Sequence, residues 1–179
     1  MKLILLIAGA TLCFAATEPK ISRATLVAME HTIQDKLAAP STDPYDLVGY
    51  ARGTYLDGYG VLFTTELDLI NAGVLNATPF KPKVSQQEIV MTHDRKVKKL
   101  AVLRDTMRML MMNASSSLEG LPGNERVSME AVLDNYSWED THGIPHRLFM
   151  SAEKQKLLDA KASHAGPTEL AMIIEEREQ

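Results

Sequence analysis

Glu139, Asp140, His142 and His146 fall within one eight-residue stretch. Two imidazoles and two carboxylates that close can hold zinc or another divalent ion. The His-x-x-x-His spacing resembles a helical metal pair, but Gly143 and Pro145 forbid a regular helix. The pair also lacks the intervening Glu of a hydrolytic zinc site. A loop wrapped on an ion remains, against a polar surface loop anchored by Trp138. A second cluster is Met107, Met109, Met111 and Met112. On a helix Met107 and Met111 share a face, as do Met109 and Met112. Thioethers select Cu(I), but flexible methionines also fill an irregular core or a partner groove.

Arg52 is the third candidate. An idealised two-residue turn at Asp57-Gly58 sets it across from Phe63, on an apolar face. A guanidinium buried there needs a partner. It is the fork-shaped donor of an anion or carboxylate pocket, or half of an internal salt bridge, or its strand faces the other way. Nucleophilic chemistry has less behind it. The chain has no G-x-S-x-G elbow, no phosphate loop and no dinucleotide fingerprint. An enzyme of hydrolase type needs a site assembled across the fold around His93, His142 or His146.

The first sixteen residues set the compartment. Met1-Lys2, an apolar run from Leu3 to Phe14, then Ala15 and Ala16 form a secretory signal peptide with cleavage near Ala15 or Ala16. The run is too short to span a bilayer, so the mature form carries no stable membrane span. Cleavage removes Cys13, the only cysteine. The expected product is periplasmic or extracellular, without disulfides or thiolate chemistry. Asn76, Asn113 and Asn135 lie in sequons, which are glycan acceptors only in a eukaryotic secretory pathway.

The chain is 45% hydrophobic and 23% charged, a globular balance. Its net charge of −4 argues against a nucleic-acid binder, which shows a basic stripe. The remainder of the 179 residues makes one ordinary domain, 17–179.

The elements that must position the candidates follow from periodicity. Leu26, Met29, Ile33 and Leu37 predict an amphipathic helix over 21–39, stopped at Pro40. Segments 47–56 and 59–70 predict a long antiparallel hairpin about a type I′ turn at Asp57-Gly58. In its second strand Val61, Phe63, Thr65, Leu67 and Leu69 share the buried face. Gly49, Ala51 and Gly53 suit close approach of a helix. A Pro-containing loop through Pro79 and Pro82 leads to Ser85 and Glu88, a capping box. It opens a long helix to about Asn113, the expected cover for those small residues. Val127, Met129, Ala131 and Leu133 alternate as a strand, Arg147 to Met150 form a short strand, and Ser151 caps a helix to about Ser163. Over 168–179 Leu170, Met172 and Ile174 alternate as a strand would, while Glu175 to Gln179 prefers helix. The fold class is α+β, an antiparallel sheet built on the hairpin and packed by the long helix, with flanking helices.

Ala51-Arg-Gly-Thr-Tyr55 and Gly58-Tyr-Gly-Val-Leu-Phe63 resemble a segment of exported bacterial proteins with no assigned function. The resemblance covers about twenty residues. It implies a bacterial source and supplies no activity and no catalytic residues.

Of the function classes left, a non-catalytic exported domain working through protein contacts comes first, as a homo-oligomer or docked to an envelope protein. Its basis is the missing catalytic motifs and the Met-rich end of the long helix, where Met109 and Met112 lie off the main stripe. A metal-binding protein and an enzyme are the alternatives. The sequence requires no cofactor.

Overall fold

The computed structural model describes residues 21–38, 44–70 and 84–179. The export segment, Cys13, Pro40, Asn76, Pro79 and Pro82 lie outside them. The fold is α+β: helices packed on a mixed six-stranded sheet that contains the expected hairpin.

Helix α1 (Arg23–Leu37) starts where Ser22 Oγ accepts the Thr25 N–H at 3.1 Å, and it buries Leu26, Met29, Ile33 and Leu37. The hairpin is β1 (Asp46–Leu47) and β2 (Arg52–Leu56) against β3 (Gly60–Asp68). Its first strand is broken rather than continuous. Leu47 opposes Leu67 but Arg52 opposes Thr64, so segment 48–51 holds two extra residues and forms a bulge, with Ala51 turned into the core. Val48 and Gly49 N–H groups share the Glu66 carbonyl, at 3.0 and 3.4 Å.

The turn also differs from expectation. Type I′ needs positive φ at both central residues, and Asp57 does not have it. Gly58 (φ 77°) and Gly60 (φ 132°) do, and Leu56 opposes Gly60 across a three-residue loop. The extra residue shifts the register by one and reverses the face of β2. Gly53 therefore opposes Phe63, and Arg52 points away from the core.

Helix α2 (Gln86–Ser117) opens with the expected Ser85–Glu88 capping box and runs one turn beyond Asn113. Ser115 does not break it, because its hydroxyl donates to the Met112 carbonyl at 2.7 Å. The helix carries the chain to β4 (Arg126–Leu133), which lies parallel to β3. Parallel neighbours need such a crossover. The sheet is thus mixed, where an antiparallel sheet was expected. Strand β5 (Arg147–Glu153) extends past Met150. Ser151 sits inside it, and helix α3 (Lys154–Ala162) follows from Glu153 rather than from a Ser151 cap. Buried Lys154 closes the end of α2, donating to the Leu118 and Leu121 carbonyls at 2.7 Å each.

Residues 168–179 adopt both forms, in the reverse of local preference. Helix α4 (Pro167–Ile173) buries Leu170, and β6 (Glu175–Glu178) pairs with β5. Tertiary contacts decide this. Arg104 and Arg108 of α2 reach Glu176 at 2.8 and 2.7 Å, and Arg104 also pairs with Glu178.

The described helices pack on one sheet face. Val61, Phe63, Leu67, Val127, Met129, Leu148 and Met150 meet Leu100, Leu103 and Met107 there in one core. Gly53 of β2 lies under α1 rather than under the long helix. An added Cβ at Gly53 would sit 2.7 Å from the Phe63 ring and 3.4 Å from Leu26. No described element covers the opposite sheet face, which carries Arg52, Thr64, Glu130, Phe149 and Arg177 in one row across the strands.

Candidate functional site

The least ordinary chemistry in the described residues is a buried charge cluster. Along α2 the buried stripe runs Thr92, Lys96, Leu100, Leu103, Met107. Lys96 occupies a core position with no exposed surface. Its ammonium lies 2.8 Å from Asp68 at the end of β3 and 2.5 Å from Glu139 in the β4–β5 loop. It also donates to Asn135 Oδ1 at 3.1 Å and to the Asp134 carbonyl at 3.3 Å. Both carboxylate side chains are at most 4% exposed. Among the described residues Asp68 Oδ2 and Glu139 Oε1 have no hydrogen-bond partner.

Two carboxylates share one ammonium in a low-dielectric site. Burial raises the Glu139 pKa above its ordinary value. The Lys96 hydrogen bond and charge pull it down but do not cancel that rise, and Asp68 adds to it. The cluster ties three elements together. Its charged side chains are buried among the described residues. Its role is to hold the 134–146 loop on α2.

That arrangement places the loop candidates. Glu139 turns inward to Lys96, away from the imidazoles. The Asp140 carbonyl meets His93 Nδ1 at 3.0 Å, and its Oδ1 accepts the His142 N–H at 2.9 Å. His142 and His146 are exposed, and His146 Nδ1 meets the Leu133 carbonyl at 3.2 Å. Among the described residues no three His, Cys, Asp or Glu side chains gather as metal ligands would. The shallow recess beside this loop is lined by Gly143, Ile144, Pro145, Glu178 and Gln179, with neither imidazole. Trp138 stacks on Tyr136 with ring centroids 6.2 Å apart.

Met107 and Met111 lie in the core, at 0% and 1% exposure. Met112 is buried as well, but Met109 is half-buried and faces a groove between α1 and α2. The groove is about 450 Å³ and is lined by Met29, Thr32, Lys36, Val102, Asp105, Thr106, Met109, Leu110 and Asn113. Met29 and Leu110 form its floor, and Val102 stands on the rim 58% exposed.

Arg52 lines a separate recess of about 310 Å³ on the uncovered sheet face, beside the strand bulge, with Tyr50, Thr64, Glu66 and Val132. No ion pair or hydrogen bond engages its side chain among the described residues.

Sequence reasoning missed Lys96, Asp68 and the Arg23–Glu30 pair. Lys96 stands four residues before Leu100, on the stripe itself, and that was the available signal. Glu30 accepts both guanidinium nitrogens of Arg23, at 2.7 and 3.1 Å. It also accepts the Gly53 N–H at 2.7 Å, while Arg23 donates to the Gly53 carbonyl at 3.0 Å. The pair thus caps the open backbone of edge strand β2, as a further strand would. Burial works against the Glu30 charge, but the Gly53 N–H and Arg23 outweigh it and hold its pKa below the usual value. Compared with known proteins, this chain matches no family model, no curated protein and no solved structure, so its site is read from geometry alone.

Proposed function

We propose that this chain is a non-catalytic exported domain that works by binding another protein through the groove between α1 and α2. The groove is the observation that carries the reading. Two helices wall it, Met29, Met109 and Leu110 make it apolar and deformable, and Lys36 and Asp105 put one charge of each sign on its rim. Methionine surfaces adapt to partners. Groove recognition of this kind seats the apolar face of an amphipathic helix. The partner expected is therefore a helical segment with aliphatic anchors flanked by an acidic and a basic residue. Export follows from the leader segment.

The test is binding with and without a groove. Val102→Glu places a carboxylate on the exposed rim, and Met109→Glu places one on the wall at a partly buried position beside the core. The wild-type chain, purified from its own compartment after mild crosslinking, is expected to carry a partner in defined ratio. Each variant, folded by circular dichroism, is expected to lose it by at least about tenfold. Equal recovery of the partner with both variants would exclude the groove.

A further inference from the structure

The uncovered sheet face carries both charge signs, and nearly all of them are satisfied within the chain. Arg147 pairs with Glu130 at 3.4 Å, Arg126 with Glu175 at 3.0 Å, Arg177 with Glu175 at 3.9 Å, and Glu153 with Lys156 at 3.1 Å. Asp46 of β1, opposite Asp68, is one exception; Arg52 and Glu66 are the others. Both line the recess beside the bulge, yet no ion pair joins them to each other or to another described side chain. Glu66 Oε2 leans toward Gly49, 3.9 Å from where a Cβ would stand there. The bulge that makes the recess also pushes two apolar side chains into solvent: Tyr50 is 75% exposed and Val48 53%.

An unpaired cation and an unpaired anion that line one recess are complementary to a second copy of themselves. A two-fold axis passing between them sets Arg52 of each chain against Glu66 of the other, which is the reciprocal pattern of an isologous interface. Tyr50, at the mouth of a recess with room for an aromatic ring, supplies the apolar anchor, and Tyr and Arg are favoured anchor types at interfaces. The sheet edges do not offer a rival contact. The Arg23–Glu30 pair caps β2 at Gly53, and β6 is built of Glu175, Glu176, Arg177 and Glu178; capped and charged edges resist strand addition.

We infer that this chain self-associates as a two-fold dimer through the uncovered sheet face, with Arg52 of each copy on Glu66 of the other and Tyr50 seated in the partner's recess. The contact is on the opposite layer from the α1–α2 groove and goes beyond the binding role proposed for it.

Charge reversal tests it. Sedimentation of the mature chain over a concentration series is expected to show a reversible monomer–dimer equilibrium that weakens as salt rises. Arg52→Glu alone and Glu66→Arg alone each set like charges against themselves. Each is expected to raise the dissociation constant at least about a hundredfold. An equimolar mixture of the two variants restores complementary pairs and is expected to return to the dimer. Recovery on mixing cannot come from damaged folding. A wild-type chain that stays monomeric overturns the inference. So do single variants that dimerise like the wild type, or a mixture that stays monomeric. Met109→Glu, on the other layer, leaves the dimer intact, so the loss of this contact and the loss of the groove reading are separately visible.

Discussion

Lys96 makes a clear test at the scale of a single residue, because its two partners are not equivalent to it. Lys96→Met leaves Asp68 and Glu139 buried together with no cation, and is expected to cost about 3–5 kcal/mol in urea unfolding. Glu139→Gln keeps an acceptor for Lys96 and removes the surplus charge, so its cost is expected within about 1 kcal/mol. The pH dependence has a definite sign. Glu139 has a raised pKa in the folded state, so its contribution is full below the ordinary value of 4.5 and is lost as pH rises through the raised value. Wild-type stability relative to Glu139→Gln should therefore fall from about pH 4 upward. Glu30 runs the other way. Its pKa is lowered, so its contribution is present above 4.5 and is lost as pH falls through the folded value. Glu30→Ala is expected to cost about 1–2 kcal/mol at neutral pH and progressively less in acid, by the same unfolding series. Glu139 was visible in the sequence as an acid near two histidines. Its actual partner comes from a helix 43 residues away, and no local spacing announces that.

Glycine positions decide the scale of elements, since the hairpin register hangs on them. Gly60 has φ 132°, and a Cβ there would fall 1.9 Å from the Arg126 carbonyl oxygen, backbone that cannot yield. Gly60→Ala is expected to cost more than about 2 kcal/mol. Gly53→Ala meets the Phe63 ring, which can shift a little, and is expected to cost about 1–3 kcal/mol. Thermal melts of both variants check the ranking, and equal melting temperatures would refute it. The elements with strong periods were legible in advance: α1, the capped start of α2, the core face of β3 and the alternation of β4. The failures are of one kind. The hairpin loop is three residues long because Gly60 joins Gly58 at positive φ, and that single residue turned Arg52 out of the core. Strand β4 runs parallel to β3, a pairing between segments 66 residues apart. Ser151 caps nothing; it meets Ser128 at 2.7 Å and accepts from Arg126 at 2.6 Å within the sheet. In 167–178 the arginines of α2 and the burial of Leu170 override local propensity.

At the scale of the molecule, the described residues form a sheet with its helices on one face, and that helical layer keeps an apolar groove. The candidates for metal chemistry are dispersed by that architecture. Met107 and Met111 serve the core, Glu139 serves Lys96, and His142 and His146 stand exposed on the loop. What the architecture leaves available is surface, and on the long helix Val102 stands exposed beside Met109, which is partly buried against the core and lines the groove. The groove's place between two helices was not legible, because it needs α1 laid beside α2. The most direct measurement is photo-crosslinking in the native compartment, with a photoreactive residue at position 102 and, as control, at exposed position 172 on α4. The account predicts one discrete heavier product from position 102, lost when Met109→Glu is added, and none from position 172. The same products from both positions, or none from 102, would contradict it.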